Sequence, residues 1–322
     1  MLRLVLIALF AAGVVPAKAE TWPSRPLTMV VPFATGGPMD AVARILQSAL
    51  SDALQMQVIV ENVGGAGGML GAARVAKAAP DGYQFLLGNV GTHAVSQTLY
   101  KTPFYNATAD FAPVVLVAEL SLVLVARKDL PASNLQEFMA YAKENQKTMR
   151  FASAGAGSAT HLGCALMNAR VGVDVTHVPY RGGALAMQDL IAQRVDYLCI
   201  DTTAALAQIE SGAIKPIAIL SHDRSPSLPD LASAHEQGLT GFEASNWSAF
   251  FLPRNTPASI VQKLHDATVA AMNDPTVRKR FQENGIDLVG DDRRSSAYLA
   301  RFVTGEIAKW AGPIKSSGLV LE

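Results

Sequence analysis

The amino-acid sequence predicts an α/β protein of two lobes, each built on a parallel-type sheet flanked by helices. Apolar strand-like segments alternate with amphipathic helical segments, and the alternation restarts at Asn134. Glycine-rich junctions recur where a strand ends and a helix begins. Such alternation predicts parallel sheets with helices on both faces, and ligands then bind beyond the carboxyl ends of the strands.

In the first half, five short apolar segments are predicted as strands: Leu27–Val31, Val58–Val60, Gln84–Leu87, Val114–Val117 and Leu122–Ala126. Between the first two, Ile45 and Ala49 stand at the i,i+4 spacing of an amphipathic helix. Gly68–Ala79 is predicted as a second helix, whose alanines allow close packing on a sheet. The Pro80-Asp81-Gly82 sequence then indicates a turn.

The second half begins with a predicted helix over Asn134–Asn145, with Asn134 as its N-cap. Its predicted strands are Arg150–Ala152, Val175–Val178, Tyr197–Ile200 and Ile217–Leu220. Three amphipathic helices then follow, over Pro257–Asn273, Pro275–Asn284 and Ser295–Ser316. We expect them to pack on the first sheet, so the chain would cross between lobes near Leu120–Leu122 and near Ser245–Phe250. Two crossings form a hinge.

The junction Pro32–Asp40 is the most informative segment, because it joins an apolar strand to an amphipathic helix. Gly36 and Gly37 lack Cβ where the chain turns, so backbone amides can point at a ligand. Pro38 suits the first helical position. The helix N-terminus therefore offers bare N–H donors and partial positive charge to a carboxylate or phosphate.

Composition narrows the function classes further. The chain has 322 residues, of which 50% are hydrophobic and 17% charged, with a formal net charge of +0. This composition argues against disorder, and the absence of a basic patch argues against a nucleic-acid partner. At the N-terminus, Arg3, the apolar run Leu4–Val15 and Ala17-Lys18-Ala19 predict a signal peptide cleaved after Ala19, although an uncleaved anchor is the alternative. We expect an exported protein that is soluble in the periplasm.

The two cysteines, Cys164 and Cys199, would lie in an oxidising compartment after export. A disulfide between them and two free buried thiols are both compatible with the sequence. No His or Cys cluster has the spacing of metal ligands, and we expect neither a metal nor a cofactor.

Several motifs along the chain resemble those of one known family. They are Trp22–Pro26, Val31–Phe33 with Gly36–Pro38 and Asp40, Val60–Asn62 with Gly65–Gly68, Ala79–Tyr83, Ser153–Gly155 with Gly157-Ser158 and His161-Leu162, Val178–Gly182, Leu228–Asp230 and Gly241–Glu243. In this order they resemble the periplasmic solute-binding proteins of the tripartite tricarboxylate transporters, also called the Bug family. The resemblance implies a flytrap fold that closes over a small organic acid and delivers it to integral-membrane transporter subunits.

The resemblance also implies a ligand site. In the family, the loop that corresponds to Phe33, Ala34, Thr35, Gly36 and Gly37 seats a carboxylate through backbone amides and bridging waters, with Asp40 capping or orienting it. The second lobe would contribute Ser153, Gly155, Ser158, His161, Tyr180, Arg181 and Gly182. Asn89, Thr92 and Asp201 follow further strands and are expected to line the cleft. The implied lobes comprise residues 20–121 with 247–322, and residues 122–246.

This chain departs from the family pattern at several positions. Thr35 replaces a more frequent proline, Met39 a small polar residue, and Arg181 a more frequent lysine. Many members have Arg-Pro where Val63-Gly64 stands here. Arg181 could clamp a carboxylate through its planar fork or lie solvated at the rim. These departures leave the ligand open among C4–C6 dicarboxylates, citrate, amino acids and aromatic acids.

Structural roles compete with ligand contact at most of these positions. Ser158 stands where an N-cap is expected, His161 could be packed in the core, and Tyr180 could pack at a sheet edge. We expect a monomeric binding protein for a dicarboxylate rather than an enzyme. A sensor that reports to a membrane histidine kinase is the first alternative. An exported hydrolase using Ser158, His161 and Asp201 is the second, although the chain lacks a Gly-x-Ser-x-Gly elbow.

Overall fold

The computed structural model describes residues 22–221, 223–225, 227–317 and 320, so the predicted signal peptide at residues 1–19 lies outside the described residues. The described chain forms one ten-stranded mixed sheet flanked by helices. Its strands are β1 (Leu27–Val31), β2 (Val58–Asn62), β3 (Gln84–Asn89), β4 (Phe111–Arg127), β5 (Arg150–Ser153), β6 (Thr176–Pro179), β7 (Tyr197–Asp201), β8 (Ile214–Ile219), β9 (Ser245–Pro253) and β10 (Asp287–Leu288).

The sheet runs in the order β2-β1-β3-β9-β4-β7-β5-β6, and β8 and β10 also pair with β4. The two flanks are parallel: β1 pairs with β2 and β3, while β5 pairs with β6 and β7. The centre is antiparallel, because β9 runs against β3 and β4, and β4 runs against β7. The predicted α/β class is confirmed, and the two predicted sheets are joined through β4.

The α-helices are α1 (Pro38–Leu54), α2 (Met69–Ala76), α3 (Ser96–Leu99), α4 (Leu135–Asn145), α5 (Ala159–Val171), α6 (Gly183–Ile191), α7 (Thr202–Glu210), α8 (Ala258–Asn273), α9 (Pro275–Glu283) and α10 (Ser296–Ser317). They cover both faces of the sheet. In β4, Val123 belongs to the same buried cluster as Leu190 of α6, whereas the next residue, Leu124, belongs to the cluster of Leu162 on α5. Neighbouring strand residues point to opposite faces, so both faces are buried under helices.

Strand β4 connects the two lobes without interruption. Its residue Ser121 pairs with Ser245 of β9, and the next residue, Leu122, pairs with Asp201 of β7. The sequence predicted two separate strands here, because Glu119 and Ser121 interrupt the apolar pattern. The strand continues because these polar side chains find hydrogen-bonding partners from distant parts of the chain. Glu119 accepts two hydrogen bonds from Arg293 at 2.7 Å, and Ser121 Oγ accepts one from Ser221 Oγ at 3.2 Å. The residue ranges of the lobes given above remain our proposal.

The sequence also missed β9 and β10. The nine residues of β9 lie between β3 and β4, and those from Asn246 to Pro253 are buried. A central strand that is buried on both faces has no polar–apolar alternation, so the period-2 pattern that predicts a strand is absent. Strand β10 has only two residues and carries no periodicity at all.

Cys164 of α5 and Cys199 of β7 form a disulfide, with their Cα atoms 5.4 Å apart. This settles the alternative that the sequence left open. Both cysteines are completely buried, and the bond links α5 covalently to strand β7 inside the core. The first residues of this helix and the last residue of this strand, Asp201, line a cavity between the lobes.

Candidate ligand-binding site between the lobes

The N-termini of four helices converge on one cavity between the lobes. Its lining includes the first residues of α1 (Pro38, Met39), of α5 (Ala159, Thr160) and of α6 (Gly183), together with Asp201, which immediately precedes α7. The first turn of a helix carries N–H groups without intrahelical acceptors, and its end has a partial positive charge. The arrangement therefore concentrates positive potential on a cavity without any Lys or Arg among its lining residues.

The cavity itself is small. Its remaining lining residues are Phe33, Gly37, Asn89, Ala154, Ser158 and Asn246, and its volume is about 20 Å³. That volume is enough for about one water molecule. An organic acid of four or more carbons needs more room, so its entry requires the lobes to move apart or lining side chains to turn.

Direct contacts between the two lobes explain the small volume. The N–H of Ala34 in the first loop donates to the carbonyl of Arg181 at 3.2 Å. In a second contact, the Tyr100 hydroxyl donates to the carbonyl of Ala156 at 3.1 Å. The lobes are therefore closed against each other by hydrogen bonds to backbone carbonyls in the loops of the second lobe.

Gly67 lies at the closest of these approaches. It has a φ of +62°, and a Cβ placed on it would lie 2.2 Å from the carbonyl oxygen of Ala156 in the opposite lobe. Gly64 is in a similar position, because its Cβ would lie 3.0 Å from the carbonyl oxygen of Arg181. Any side chain at Gly67 would therefore collide with the other lobe.

Asp40 holds the first loop in place. Its Oδ2 accepts hydrogen bonds from the Gly36 N–H at 2.9 Å and from Arg44 Nε at 2.8 Å, while Oδ1 accepts one from Asn62 Nδ2 at 3.0 Å. Burial by itself would raise the pKa of Asp40, but the hydrogen bonds from Arg44, Gly36 and Asn62 outweigh it and lower the pKa. Asp40 is thus ionised at neutral pH and orients the loop.

The Thr35 hydroxyl is occupied in the same network. It donates to Asn62 Oδ1 at 3.2 Å, and Asn62 Nδ2 also donates to the carbonyl of Phe33 at 3.0 Å. Thr35 and Gly36 are exposed at the rim, whereas Phe33 and Gly37 line the cavity. The loop conformation therefore depends on Asp40 and Asn62 together.

Replacing Asp40 by asparagine is expected to destabilise the protein by about 2 kcal/mol at pH 7, because hydrogen bonds to a charged group contribute roughly 1.5–3 kcal/mol. The lowered folded-state pKa of Asp40 means that this contribution is present above the unfolded-state pKa and is lost as pH falls through the folded-state value. Urea unfolding of the wild type and the variant should therefore differ at pH 7, and the difference should shrink as the pH falls below about 4.

Asp52→Asn is the matched control, since Asp52 lies on the same helix but is exposed. It should change the free energy of unfolding little at either pH. A constant difference between wild type and Asp40→Asn from pH 7 down to pH 3 would contradict the assigned role of Asp40.

The predicted residues of the second lobe mostly support its loop. Ser153 Oγ lies 2.7 Å from His177 Nε2 and accepts the Gly155 N–H at 3.1 Å. Ser158 Oγ caps α5 by accepting the His161 N–H at 3.2 Å, and it donates to the carbonyl of Gly155 at 2.7 Å. Of these four predicted residues, Ser158 lines the cavity, while Ser153, Gly155 and His161 shape the loop behind it.

His161 is held as a neutral imidazole. Its Nδ1 accepts the Gly157 N–H at 3.1 Å, and its ring stacks on His177 with centroids 4.0 Å apart. Burial lowers the pKa of His161 to about 4. No hydrogen bond joins its ring to Ser158 Oγ in the described residues, so the Ser158–His161–Asp201 arrangement of a hydrolase is not formed there.

The remaining predicted residues divide between the cavity and its surroundings. Asn89 lines the cavity, and its Oδ1 accepts the N–H of the buried Thr92 at 3.1 Å. Tyr180 is turned away, because its hydroxyl donates to Asp189 Oδ2 at 2.6 Å. Arg181 has an exposed side chain and contributes its carbonyl, and Gly182 is the N-cap of α6.

Asp201 is the predicted residue with the most unusual environment. It is 2% exposed, lines the cavity and accepts a hydrogen bond from Asn246 Nδ2 at 2.8 Å. Burial raises the pKa of Asp201 to about 7, although the hydrogen bond from Asn246 acts in the opposite direction. Unlike Asp40, it has no arginine partner within the cavity.

The sequence therefore identified five of the residues that line the cavity: Phe33, Gly37, Asn89, Ser158 and Asp201. It did not single out Pro38, Met39, Ala154, Ala159, Thr160, Gly183 or Asn246 as lining residues. Most of these adjoin a predicted loop, so including the first helical turn would have found them. Asn246 gave no such signal, because it lies on the unpredicted strand β9.

Across the described residues, no group of three or more His, Cys, Asp or Glu side chains could hold a metal ion. Nor does any helix in that part of the chain combine the length and apolar character needed to cross a membrane.

Two lobes that close on a cavity ringed by helix N-termini define a solute-binding protein. The family model described as "Tripartite tricarboxylate transporter family receptor" (TctC) matches residues 42–319, and the chain belongs to this family. The resemblance stated from the motifs is thus confirmed.

Solved structures of similar proteins support the same family membership. The periplasmic binding protein BugD is similar, with 38% identity, a TM-score of 0.90, and coverage of 94% of this chain and 100% of that one. MatC from Rhodopseudomonas palustris with bound malate has 38% identity and a TM-score of 0.89, covering 91% of this chain and 100% of that one. Rpa4515 from R. palustris with adipate has 32% identity and a TM-score of 0.88, covering 93% and 99%.

Proposed function

We propose that this receptor captures a small dicarboxylate between its lobes and delivers it to the membrane subunits of a tripartite tricarboxylate transporter. The observation that carries the proposal is the convergence of the N-termini of α1, α5, α6 and α7 on one interlobe cavity. Such termini bind carboxylates through backbone N–H groups. The two similar structures with malate and with adipate both hold linear diacids, which supports the same chemical class here.

The energetics are compatible with this mode of capture. Hydrogen bonds to a charged group contribute roughly 1.5–3 kcal/mol each. Micromolar affinity requires about 8 kcal/mol in total. Association adds a cost of at least about 4 kcal/mol, so roughly 12 kcal/mol is required, which about four to eight such bonds from the two lobes and from bridging waters would supply. In this proposal Phe33, Gly37, Asn89, Ser158 and Asp201 face the ligand, while Asp40, Thr92, Ser153 and His161 hold the loops.

Delivery to the transporter follows from closure. The direct bonds between the loops, such as Ala34 N–H to the Arg181 carbonyl, exist only when the lobes are together. A ligand that bridges the lobes favours that closed form, and its surface is the one that membrane subunits would recognise.

A thermal-shift panel tests the proposal. The panel contains succinate, malate, glutarate, adipate, citrate, aspartate, benzoate and glucose, each at a saturating concentration. A ligand present at 100 times its dissociation constant adds about 2.7 kcal/mol of stability. We expect the largest rise in Tm with a C4–C6 diacid and none with glucose. A rise in Tm with glucose would contradict the proposal, and so would the absence of a rise with every carboxylate of the panel.

A further inference from the structure

The cavity contains a single ionisable side chain, that of Asp201. The other lining residues are apolar or carry hydroxyl, amide or backbone groups only. A carboxyl group is unexpected in a site proposed to bind dianions, because like charges within a few ångströms repel strongly in a buried environment. The carboxyl group of Asp201 therefore needs a functional explanation.

Among the described residues that line the cavity, none carries a positive charge that could neutralise Asp201. From β9, Asn246 contributes an amide donor, and the side chain of Asp201 makes no capping hydrogen bond to α7. Asp40 of α1 does not line the cavity, and its charge is paired with Arg44. From α5, His161 is neutral, since burial lowers its pKa to about 4. α6 contributes only Gly183 to the lining.

The two protonation states of Asp201 would treat a dicarboxylate differently. An ionised carboxylate repels the second carboxylate of the ligand, whereas a neutral carboxyl can donate its O–H to it. Because burial raises the pKa of Asp201 to about 7, both states are accessible near neutral pH when the lobes are closed. A bound anion raises that pKa further, because it disfavours the charged form.

We infer that Asp201 is the specificity-determining residue of this cavity: it accepts a second ligand carboxylate only in its protonated form, so binding of a dicarboxylate takes up one proton. The inference rests on the proposed dicarboxylate function. It explains how a cavity with an acidic side chain can bind a dianion. It also predicts that such ligands are bound more tightly on the acidic side of neutrality.

Isothermal titration calorimetry with succinate, glutarate and adipate at pH 6.5, 7.5, 8.5 and 9.0 tests the inference. These diacids are already largely doubly ionised at pH 6.5, so the ligand's own titration contributes little. The dissociation constant should increase at least about 10-fold between pH 6.5 and 9.0, as expected when a carboxyl with a raised pKa must be protonated for binding. Titrations at pH 8.5 in buffers of different ionisation enthalpy should report close to one proton taken up.

Two variants complete the test. Asp201→Asn replaces the carboxyl by an amide that donates at every pH, so the pH dependence and the proton uptake should disappear. Asp287→Asn is the control, because it removes a carboxyl from β10, outside the cavity, and should leave both unchanged.

The outcomes separate this inference from the proposed function. If a diacid binds the wild type equally well from pH 6.5 to 9.0 with no proton uptake, the inference is wrong and the function stands. If none of the three diacids binds at any of these pH values, the inference is wrong, and the proposed function is wrong as well if malate also fails to raise the Tm. The wild-type titrations alone give this answer should Asp201→Asn fail to fold.

Discussion

Replacing Gly67 with alanine is expected to weaken binding of the diacid about 100-fold while both lobes stay folded. The added Cβ would lie 2.2 Å from the carbonyl oxygen of Ala156, a backbone atom that cannot turn aside. A steric penalty of about 3 kcal/mol on the closed form, at the upper end for overpacking, lowers the closed population roughly 100-fold. Calorimetry with the diacid that gives the largest thermal shift measures the loss. Small-angle scattering should show a larger radius of gyration.

Gly172→Ala provides the matched control for this variant. Gly172 also has a positive φ, +76°, but nothing lies within 4 Å of its Cβ position. Both substitutions therefore carry the same kind of backbone strain, about 1–2 kcal/mol, and only Gly67→Ala opposes closure. Equal affinity of the two variants for the diacid would show that contact at Gly67 does not limit closure.

Removing the Cys164–Cys199 disulfide is expected to lower the free energy of unfolding by about 3–4 kcal/mol, since the bond closes a loop of sequence separation 35. For a protein of this size the loss corresponds to a decrease in Tm of about 5–6 °C. The double variant Cys164→Ala/Cys199→Ala and the wild type should be compared by urea unfolding and by thermal melting, both without reductant.

Reduction of the wild type distinguishes the covalent bond from the packing of the two side chains. Both cysteines are fully buried, so alanine at these positions also leaves a small cavity. Unfolding the wild type in dithiothreitol breaks the bond in the unfolded state and keeps the sulfur atoms. The destabilisation of the wild type by dithiothreitol should therefore equal most of the destabilisation caused by the double substitution. The double variant should not respond to dithiothreitol. A wild-type Tm that is insensitive to the reductant would rule out the bond as the source of stability.

Much of the fold could be predicted because local patterns and tertiary structure agree. The strands β1, β5 and β7 and the helices α4, α8 and α9 lie within a few residues of their predicted ranges, since their apolar periodicity matches the faces that they bury. The joining of the lobes was not predictable in this way. Whether β4 continues through Ser121 depends on partners distant in sequence, namely Ser245 and Asp201. No local pattern contains that information.

For the candidate site, the sequence predicted the loops better than the individual contacts. Gly37 and Ser158 line the cavity because a glycine turn and an N-cap each stand at the start of a helix. Tyr180 could not be placed from sequence, since its direction is determined by Asp189 one helix away. Asn246, the donor to Asp201, lies 45 residues further along the chain, on a strand without a recognisable period.

The continuity of β4 restricts how hybrid receptors can be made from this chain and its relatives. Strand β4 (Phe111–Arg127) supplies hydrogen-bonding partners to both halves of the sheet. A hybrid whose junction lies in that strand would therefore combine residues from two parent proteins within one continuous set of strand pairings. Exchanging a whole half between parents would leave mismatched side chains along β9 as well. Grafting the short loops between strands and helices keeps the ladder intact, so new ligand preferences are more accessible by loop transplantation than by recombining halves.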